Sequence, residues 1–233
     1  MDHSLRHGGS GNLRSRTPNA SLPTQASQAG RGAGSPAQIR HGDWVLFGWK
    51  NVQVGSPPNW NHDFHHNAPV PTQIESHKLD HRNLEGGADA RCVWEINRWA
   101  ELVRLAQNAW LNDQPADAEL AQAWLADWCE HNPPALGLQW TSALEVSLRL
   151  INFCWIDALI RACDKPELTA AQELLAQRIV PVHAWWAWRN RSFGSSANNH
   201  LIGELAGVVI ASRRWPCLTR LGCCGERAWQ MLE

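Results

Sequence analysis

The sequence contains no tyrosine and is poor in charged residues. Without tyrosine, no phenolic side chain can serve as a catalytic acid or base. Charged residues make up 18% of the 233 residues and the formal net charge is −1, whereas about a quarter of a typical soluble domain is charged. Proteins that bind nucleic acid or anionic membranes through electrostatic attraction need a basic face. We therefore expect neither kind of partner.

Long apolar runs and recognisable cofactor motifs are also lacking. No run approaches the about 18 apolar residues of a membrane span, and no secretory signal is visible at the start. The motifs of serine hydrolases, phosphate-binding loops, dinucleotide-binding folds and zinc proteases are absent. We therefore expect no membrane span and no cofactor.

The seven cysteines include no C-x-x-C pair, and most lie in apolar stretches, where a free cysteine behaves as a small hydrophobe. One loop, with His62, His65 and His66 beside Asp63, has side chains that can bind a metal. This loop contains no cysteine, and no second ligand cluster accompanies it. The sequence therefore predicts no metal site.

The composition divides the chain in two. Residues 1–40 hold six Gly, six Ser and three Pro, with no Phe or Trp, so they cannot bury enough apolar surface to offset the entropy of ordering. We expect a disordered tail over residues 1–40 and a domain over residues 41–233.

The chain has 15 tryptophans, whose flat rings suit both a core and stacking on sugar rings. Residues 44–47 read as a short strand.

From residue 91 the apolar residues follow a helical period, and polar or proline-containing turns interrupt it near residues 112–115, 132–134 and 164–166. Consecutive helices joined by short turns predict an all-α fold built from helical hairpins, either a toroid or a bundle. The pattern over residues 228–233 is helical and has no C-terminal cap. We therefore expect the domain to be incomplete at its C-terminus.

The first candidate site is the segment 195–204, at a predicted helix N-terminus. Free backbone N–H groups and the helix dipole favour an anion there, and Asn199 and His200 could add side-chain donors to a carboxylate or phosphate. Asn198 also suits the structural role of N-cap. Glu204 lies one turn further along the helix.

A second group surrounds the start of another predicted helix. Glu145 and Arg149, four residues apart, could form an ion pair within the helix, and Ser142 with Glu145 makes a capping box. Trp140, just before this helix, could face either a groove or the core.

In a third group, polar side chains stand among tryptophans. Glu95, Asn97 and Arg98 lie between Trp94 and Trp99. This arrangement suits a polar ligand on an aromatic floor, and it equally suits a buried ion pair.

Three motifs occur in order, and together they resemble a known family. They are residues 94–98 (WEINR), residues 132–134 (NPP) with 140–149 (WTSALEVSLR), and residues 198–204 (NNHLIGE). The series resembles the N-terminal domain of heparinase II/III-like polysaccharide lyases, which are related to oligoalginate lyases. The resemblance covers about residues 44–233. It implies an (α/α) toroid that is normally followed by an antiparallel β-sandwich domain, which this chain lacks.

The resemblance implies β-elimination at a uronic acid in an acidic polysaccharide. Asn199 and His200 match the pair that neutralises the substrate carboxylate in the family, a role like that of an oxyanion hole. By position in the motifs, Trp94, Glu95, Arg98, Trp140, Glu145, Arg149, Asn198 and Glu204 become substrate-binding candidates. A later Tyr donates the proton in the family, and a further His comes from the sandwich domain. Because this chain has neither, we expect it to be inactive alone.

Two other functions remain open. A non-catalytic helical module could hold an acidic sugar in a tryptophan-lined groove. An α-toroid glycoside hydrolase would need two opposed carboxylates, for which Glu95, Glu145 and Glu204 are candidates. The resemblance implies a periplasmic or secreted protein, although no signal region is visible.

Overall fold

The computed structural model describes residues 34–194, 197–218 and 221–233, and this part of the chain is mostly helical. The helices are α1 (Pro36–Arg40), α2 (Ala90–Asn97), α3 (Ala100–Leu111), α4 (Pro115–His131), α5 (Ala143–Ala162), α6 (Pro166–Arg189), α7 (Asn199–Arg214) and α8 (Leu221–Leu232). The strands are β1 (Asp43–Leu46), β2 (Lys50–Gln53), β3 (His62–Asp63) and β4 (Ala68–Pro69). Within these described ranges, no helix combines the length and the apolar character needed to cross a membrane.

The folded part begins before residue 41, so the predicted tail boundary is a few residues late. Ser35 caps α1, and Ile39 is completely buried in the core. Arg40 makes two hydrogen bonds with the buried carboxylate of Asp117 in α4. Helix α1 has only five residues, too few to alter the average composition of residues 1–40. Composition alone therefore could not locate the start of the folded part. Residues 1–33 lie outside the described part.

The predicted strand at residues 44–47 is present as β1, one residue earlier. It pairs with β2 in an antiparallel hairpin, with Trp44 opposite Val52. The Trp44 ring packs at 6.1 Å from the Trp60 ring and 6.0 Å from the Trp124 ring, measured between centroids. The tryptophans thus attach this hairpin to α4.

Helices α3 to α8 form two rows. In one row α5 lies between α3 and α7, and in the other α6 lies between α4 and α8. Two contacts show that α3 and α5, in the first row, run in the same direction. Arg98 donates to Glu145 near the starts of these helices, and Nζ of Lys165 lies 3.8 Å from Oδ1 of Asp113 just beyond their ends. Consecutive helices of the chain therefore alternate between the two rows.

In the second row, α4 and α6 also run in the same direction. Gln122 of α4 donates to the Leu168 carbonyl at the start of α6, at 2.8 Å. Further along both helices, Arg178 contacts Glu130 at 2.7 Å. Helix α6 begins at Pro166, within the proline-containing turn predicted near residues 164–166.

Close backbone approach fixes α7 against α5. A Cβ on Gly207 would lie 2.7–2.9 Å from three atoms of Ser147, two of them in the backbone. The Ser147 hydroxyl donates to the Glu204 carbonyl at 3.2 Å. One turn earlier, Gly203 faces the side chain of Leu144. The starts of α3, α5 and α7 therefore lie at the same end of the molecule.

The helical period located the helices but not their buried faces. In α5, for example, the side chain of the apolar residue Trp155 is 59% exposed. Val146, Leu150, Phe153 and Ile160 form the buried face instead. Apolar residues surround most of α5, so periodicity alone could not select the face that contacts α3 and α7.

The helical period that the sequence shows from residue 91 is interrupted at Trp99. This residue has a left-handed backbone, with φ +66, between α2 and α3. A left-handed bulky residue is unfavourable unless the surroundings hold it, and the Trp99 side chain is completely buried.

We predict that Gly207→Ala destabilises the protein, because the new methyl group would push the backbones of α5 and α7 apart. The expected loss in the free energy of unfolding is about 1–3 kcal/mol, measured by urea denaturation. Gly203→Ala is the matched control: its methyl group meets only the mobile end of Leu144, and alanine favours a helix. Equal stabilities of the two variants would contradict this account.

Candidate functional site

Arg149 occupies the centre of the molecule near the starts of α3, α5 and α7. Its side chain is completely buried. Nη2 donates to the Gln139 carbonyl at 2.6 Å, and Nε donates to Nε2 of His183 at 3.2 Å. Burial lowers the pKa of the Arg149 guanidinium to about 9, so it keeps its positive charge at neutral pH.

Three tryptophan rings surround this guanidinium. Its central carbon lies 4.9 Å from the ring centroid of Trp128, 5.7 Å from that of Trp140 and 5.9 Å from that of Trp99. Aromatic faces attract a cation, by about 2 kcal/mol or more where water is excluded. We call Arg149, these three tryptophans and His183 the arginine cage.

The predicted ion pair between Glu145 and Arg149 does not form. Glu145 instead accepts two hydrogen bonds from Arg98, at 2.7 and 2.8 Å, and Arg98 also contacts Glu95 at 2.6 Å. The capping box is half formed, because Ser142 accepts from the Glu145 amide while the Glu145 carboxylate is engaged elsewhere. The Glu145 carboxylate raises the pKa of Arg98. One guanidinium thus joins two carboxylates on different helices.

The α7 N-terminus presents its polar residues to solvent. Asn198, Asn199 and His200 are all exposed. The Asn198 side chain accepts from the Asn199 amide at 2.8 Å, which confirms its capping role. Among the described residues, neither the side-chain carboxamide of Asn199 nor the ring of His200 has a hydrogen-bond partner. Ser195 and Ser196 of the same motif lie outside the described residues.

Glu204 connects the first turns of α7 to the segment that precedes this helix. Its side chain is 1% exposed and accepts from both the backbone amide and the hydroxyl of Ser192, each at 2.7 Å. Ser192 belongs to the segment that leads into α7. Glu204 therefore holds that segment, and in this structure it is too enclosed to contact a ligand directly.

The two predicted binding tryptophans are also enclosed. The Trp94 indole donates to the Leu138 carbonyl at 3.3 Å and borders a cavity of about 520 Å³ that also adjoins His81. The Trp140 indole donates to the Asn132 carbonyl at 3.2 Å. The backbone carbonyl of Asn132, in the NPP motif, therefore helps to orient Trp140, one tryptophan of the arginine cage.

The predicted residues therefore fall into three groups by position. Asn198, Asn199 and His200 are exposed, Glu95 and Arg98 are partly exposed, and the enclosed residues are Trp94, Trp140, Glu145, Arg149 and Glu204. The enclosed residues can position a ligand site, but a sugar could not reach Arg149 without disrupting the cage. Their assignment as direct contacts is thus not supported by this geometry.

Sequence reasoning missed two residues of this region. His183 completes the arginine cage from α6, and only its place in an apolar helical stretch beside three tryptophans could have indicated this. Glu101, in the first turn of α3, has a pKa that burial raises to about 7. Glutamate is common in the first turn of a helix because it interacts favourably with the helix dipole. The sequence therefore does not indicate that the pKa of Glu101 is raised.

His183 is neutral in the folded protein. Burial, reinforced by the charge of Arg149, holds the pKa of His183 well below its usual 6.5. The His183 ring donates from Nδ1 to the Ile179 carbonyl at 2.9 Å, which leaves Nε2 free to accept from Arg149. Protonation of Nε2 would remove this acceptor and place two positive charges side by side.

Comparisons with protein-family models, curated proteins and solved structures give no match to this chain. The geometry of the described residues is thus the basis for any functional assignment.

We predict that His183 makes the protein acid-sensitive. Below about pH 6.5 the histidine gains a proton only on unfolding, so acid favours the unfolded state by about 1.4 kcal/mol per pH unit. His183→Gln should remove this slope from the free energy of unfolding measured between pH 4.5 and about 6.5. His131→Gln, at an exposed histidine, should keep the slope. An unchanged slope in His183→Gln would refute a neutral buried His183.

Proposed function

We propose that the chain is the N-terminal helical domain of a polysaccharide lyase that acts on acidic, uronate-containing glycans. The observation that carries the proposal is the pair Asn199 and His200, exposed and without a partner among the described residues at the N-terminus of α7. Backbone N–H groups and the helix dipole favour an anion at this place. Two side-chain donors beside them make a site for a carboxylate.

The arginines in this region already have partners within the protein. Arg98 is already bonded to Glu95 and Glu145, and the guanidinium of Arg191, in the segment before α7, lies over the Trp188 ring. A uronate would therefore be bound chiefly by Asn199, His200 and backbone amides.

This arrangement suits β-elimination. When a base removes the C5 proton of a uronic acid, negative charge moves onto the adjacent carboxylate. Donors fixed at that carboxylate stabilise the charge as it develops. Asn199 and His200 would act in this way, while Glu204 and the arginine cage hold α7 and α5 in position.

We extend the proposal to the architecture. In a toroid of helical hairpins, each hairpin gives one helix to an inner ring and one to an outer ring. The parallel rows α3, α5, α7 and α4, α6, α8 are what a part of such a toroid would contain. Since the sequence has no tyrosine, the proton donor would come from outside these 233 residues, and a β-sandwich domain is the partner we propose. A periplasmic or secreted location would fit such a substrate.

The glycoside hydrolase alternative receives less support. It needs two carboxylates that are free to act on opposite sides of a sugar. Glu145 is bound by Arg98, and Glu204 is bound by Ser192. The carbohydrate-binding alternative uses the same Asn199 and His200 site and is separated by the experiments below.

We predict that the chain binds uronate glycans through Asn199 and His200. Alginate, heparan sulfate and hyaluronan would be tested by calorimetry, with a carboxyl-reduced alginate as the neutral control. Asn199→Ala and His200→Ala should each weaken binding by about 10-fold or more, as expected for a hydrogen bond to a charged group. His131→Ala, at an exposed histidine on α4, should leave binding unchanged. Equal binding of neutral and acidic glycans would overturn the carboxylate site.

We also predict that the 233-residue chain produces no unsaturated uronate by itself, because its proton donor is missing. The ultraviolet absorbance of the unsaturated product would be followed with each glycan, and in parallel for a version extended through the downstream reading frame. Product from the extended version only would support a lyase. Product from the 233-residue chain would contradict the need for an added donor. Binding without product from either version would favour the binding module.

A further inference from the structure

A compact group of metal-binding side chains lies away from α7, where the β3–β4 hairpin packs on α2. Its centre is Asp63, whose side chain is completely buried. Oδ1 accepts from the backbone amides of His65 and His66 at 2.8 and 3.1 Å, and Oδ2 accepts from the Asp89 amide at 2.7 Å. Three backbone donors therefore fix the carboxylate in one orientation.

Two further ligand types meet this carboxylate. Nδ1 of His66 lies 2.7 Å from Oδ2 of Asp63. Cys92, in the first turn of α2, brings its sulfur to the same place, so that one ligand atom each from Asp63, His66 and Cys92 lies within 4.8 Å of the other two. The histidine loop itself has no cysteine, so its sequence alone predicts no metal site. The fold supplies the cysteine from a different element.

We propose that Asp63, His66 and Cys92 bind a Zn²⁺ ion. A thiolate, an imidazole and a carboxylate are the three ligand types that zinc uses in proteins, at bonds of about 2.0–2.3 Å. Such bonds place ligand atoms about 3–4 Å apart. The side chain of His66 is 43% exposed, so its ring can rotate to close the remaining distance.

Charge supports a cation at this position. In the part of the chain that the structure describes, the ion pair of Asp63 is with His66, and no lysine or arginine neutralises the buried carboxylate. The nearby Arg91 is engaged by Asp89. A divalent cation with one carboxylate and one thiolate would make a neutral centre.

The group is also accessible to an ion. His66 borders the cavity of about 520 Å³ beside Trp94, and Cys92 borders a second cavity of about 240 Å³ that also adjoins His65. Water, or the His65 ring at 4.6 Å from the His66 ring between centroids, could complete a fourth position. Three protein ligands with an open fourth position are typical of catalytic rather than structural zinc sites.

Metal binding must displace a proton from the cysteine. Burial, with the neighbouring carboxylates, raises the pKa of the Cys92 thiol to about 11. The metal-free protein therefore holds a thiol at neutral pH. The metal would bind the thiolate and release the proton to solvent, so the affinity should rise with pH.

The test is a Co²⁺ titration of the 233-residue chain, because a cobalt–thiolate bond gives a charge-transfer absorption in the near ultraviolet. We expect this band to saturate at one Co²⁺ per chain and to disappear when Zn²⁺ is added. Cys92→Ser should abolish the band, whereas Cys163→Ser, at a cysteine following α5, should keep it. Far-ultraviolet circular dichroism would check that both variants are folded.

His66→Ala keeps the test valid if Cys92→Ser fails to fold, because His66 is an exposed side chain whose loss leaves the core intact. It should weaken Co²⁺ binding by at least about 10–100-fold. Absence of a thiolate band in the unmodified chain, or an equal band in Cys92→Ser, would overturn the site. A Co²⁺ affinity unchanged by His66→Ala would overturn the assignment of its ligands.

Discussion

A single buried positive charge organises this protein. Within the described part of the chain, the Arg149 guanidinium makes no direct bond to a carboxylate; tryptophan faces, a backbone carbonyl and a histidine nitrogen surround it instead. Removing a guanidinium from water costs several kcal/mol, so the contacts of the cage must offset that cost for the charge to be tolerated. Because its members come from α4, α5, α6 and the segments before α3 and α5, satisfying one side chain fixes the relative positions of all these elements.

The proposed ligand site depends on that arrangement. The cage fixes the first half of α5, which carries Glu145 towards Arg98 at the start of α3. The close contact at Gly207 then transmits the position of α5 to α7. Buried residues therefore fix the position of Asn199 and His200. This explains why Arg149 and Glu204 belong to the motifs although both are buried.

The sequence predicted the local structure better than the long-range contacts. Prolines and polar turns such as Asp164 to Pro166 end helices through backbone chemistry, so the helix order could be read directly. The exposure of Trp155 and the pairing of Glu145 with Arg98 depend on which helices become neighbours. The same limit applies to Cys92, which joins His66 only in the folded chain. Asn198 was recognised because capping is a local interaction.

A crystal structure of the chain with a saturated oligouronate tests the central claim most directly, since it locates the sugar carboxylate. The account predicts a carboxylate within hydrogen-bond distance of the Asn199 amide group and the His200 ring, with the arginine cage unchanged. A sugar stacked on an exposed tryptophan such as Trp155, with no contact at the start of α7, would contradict it.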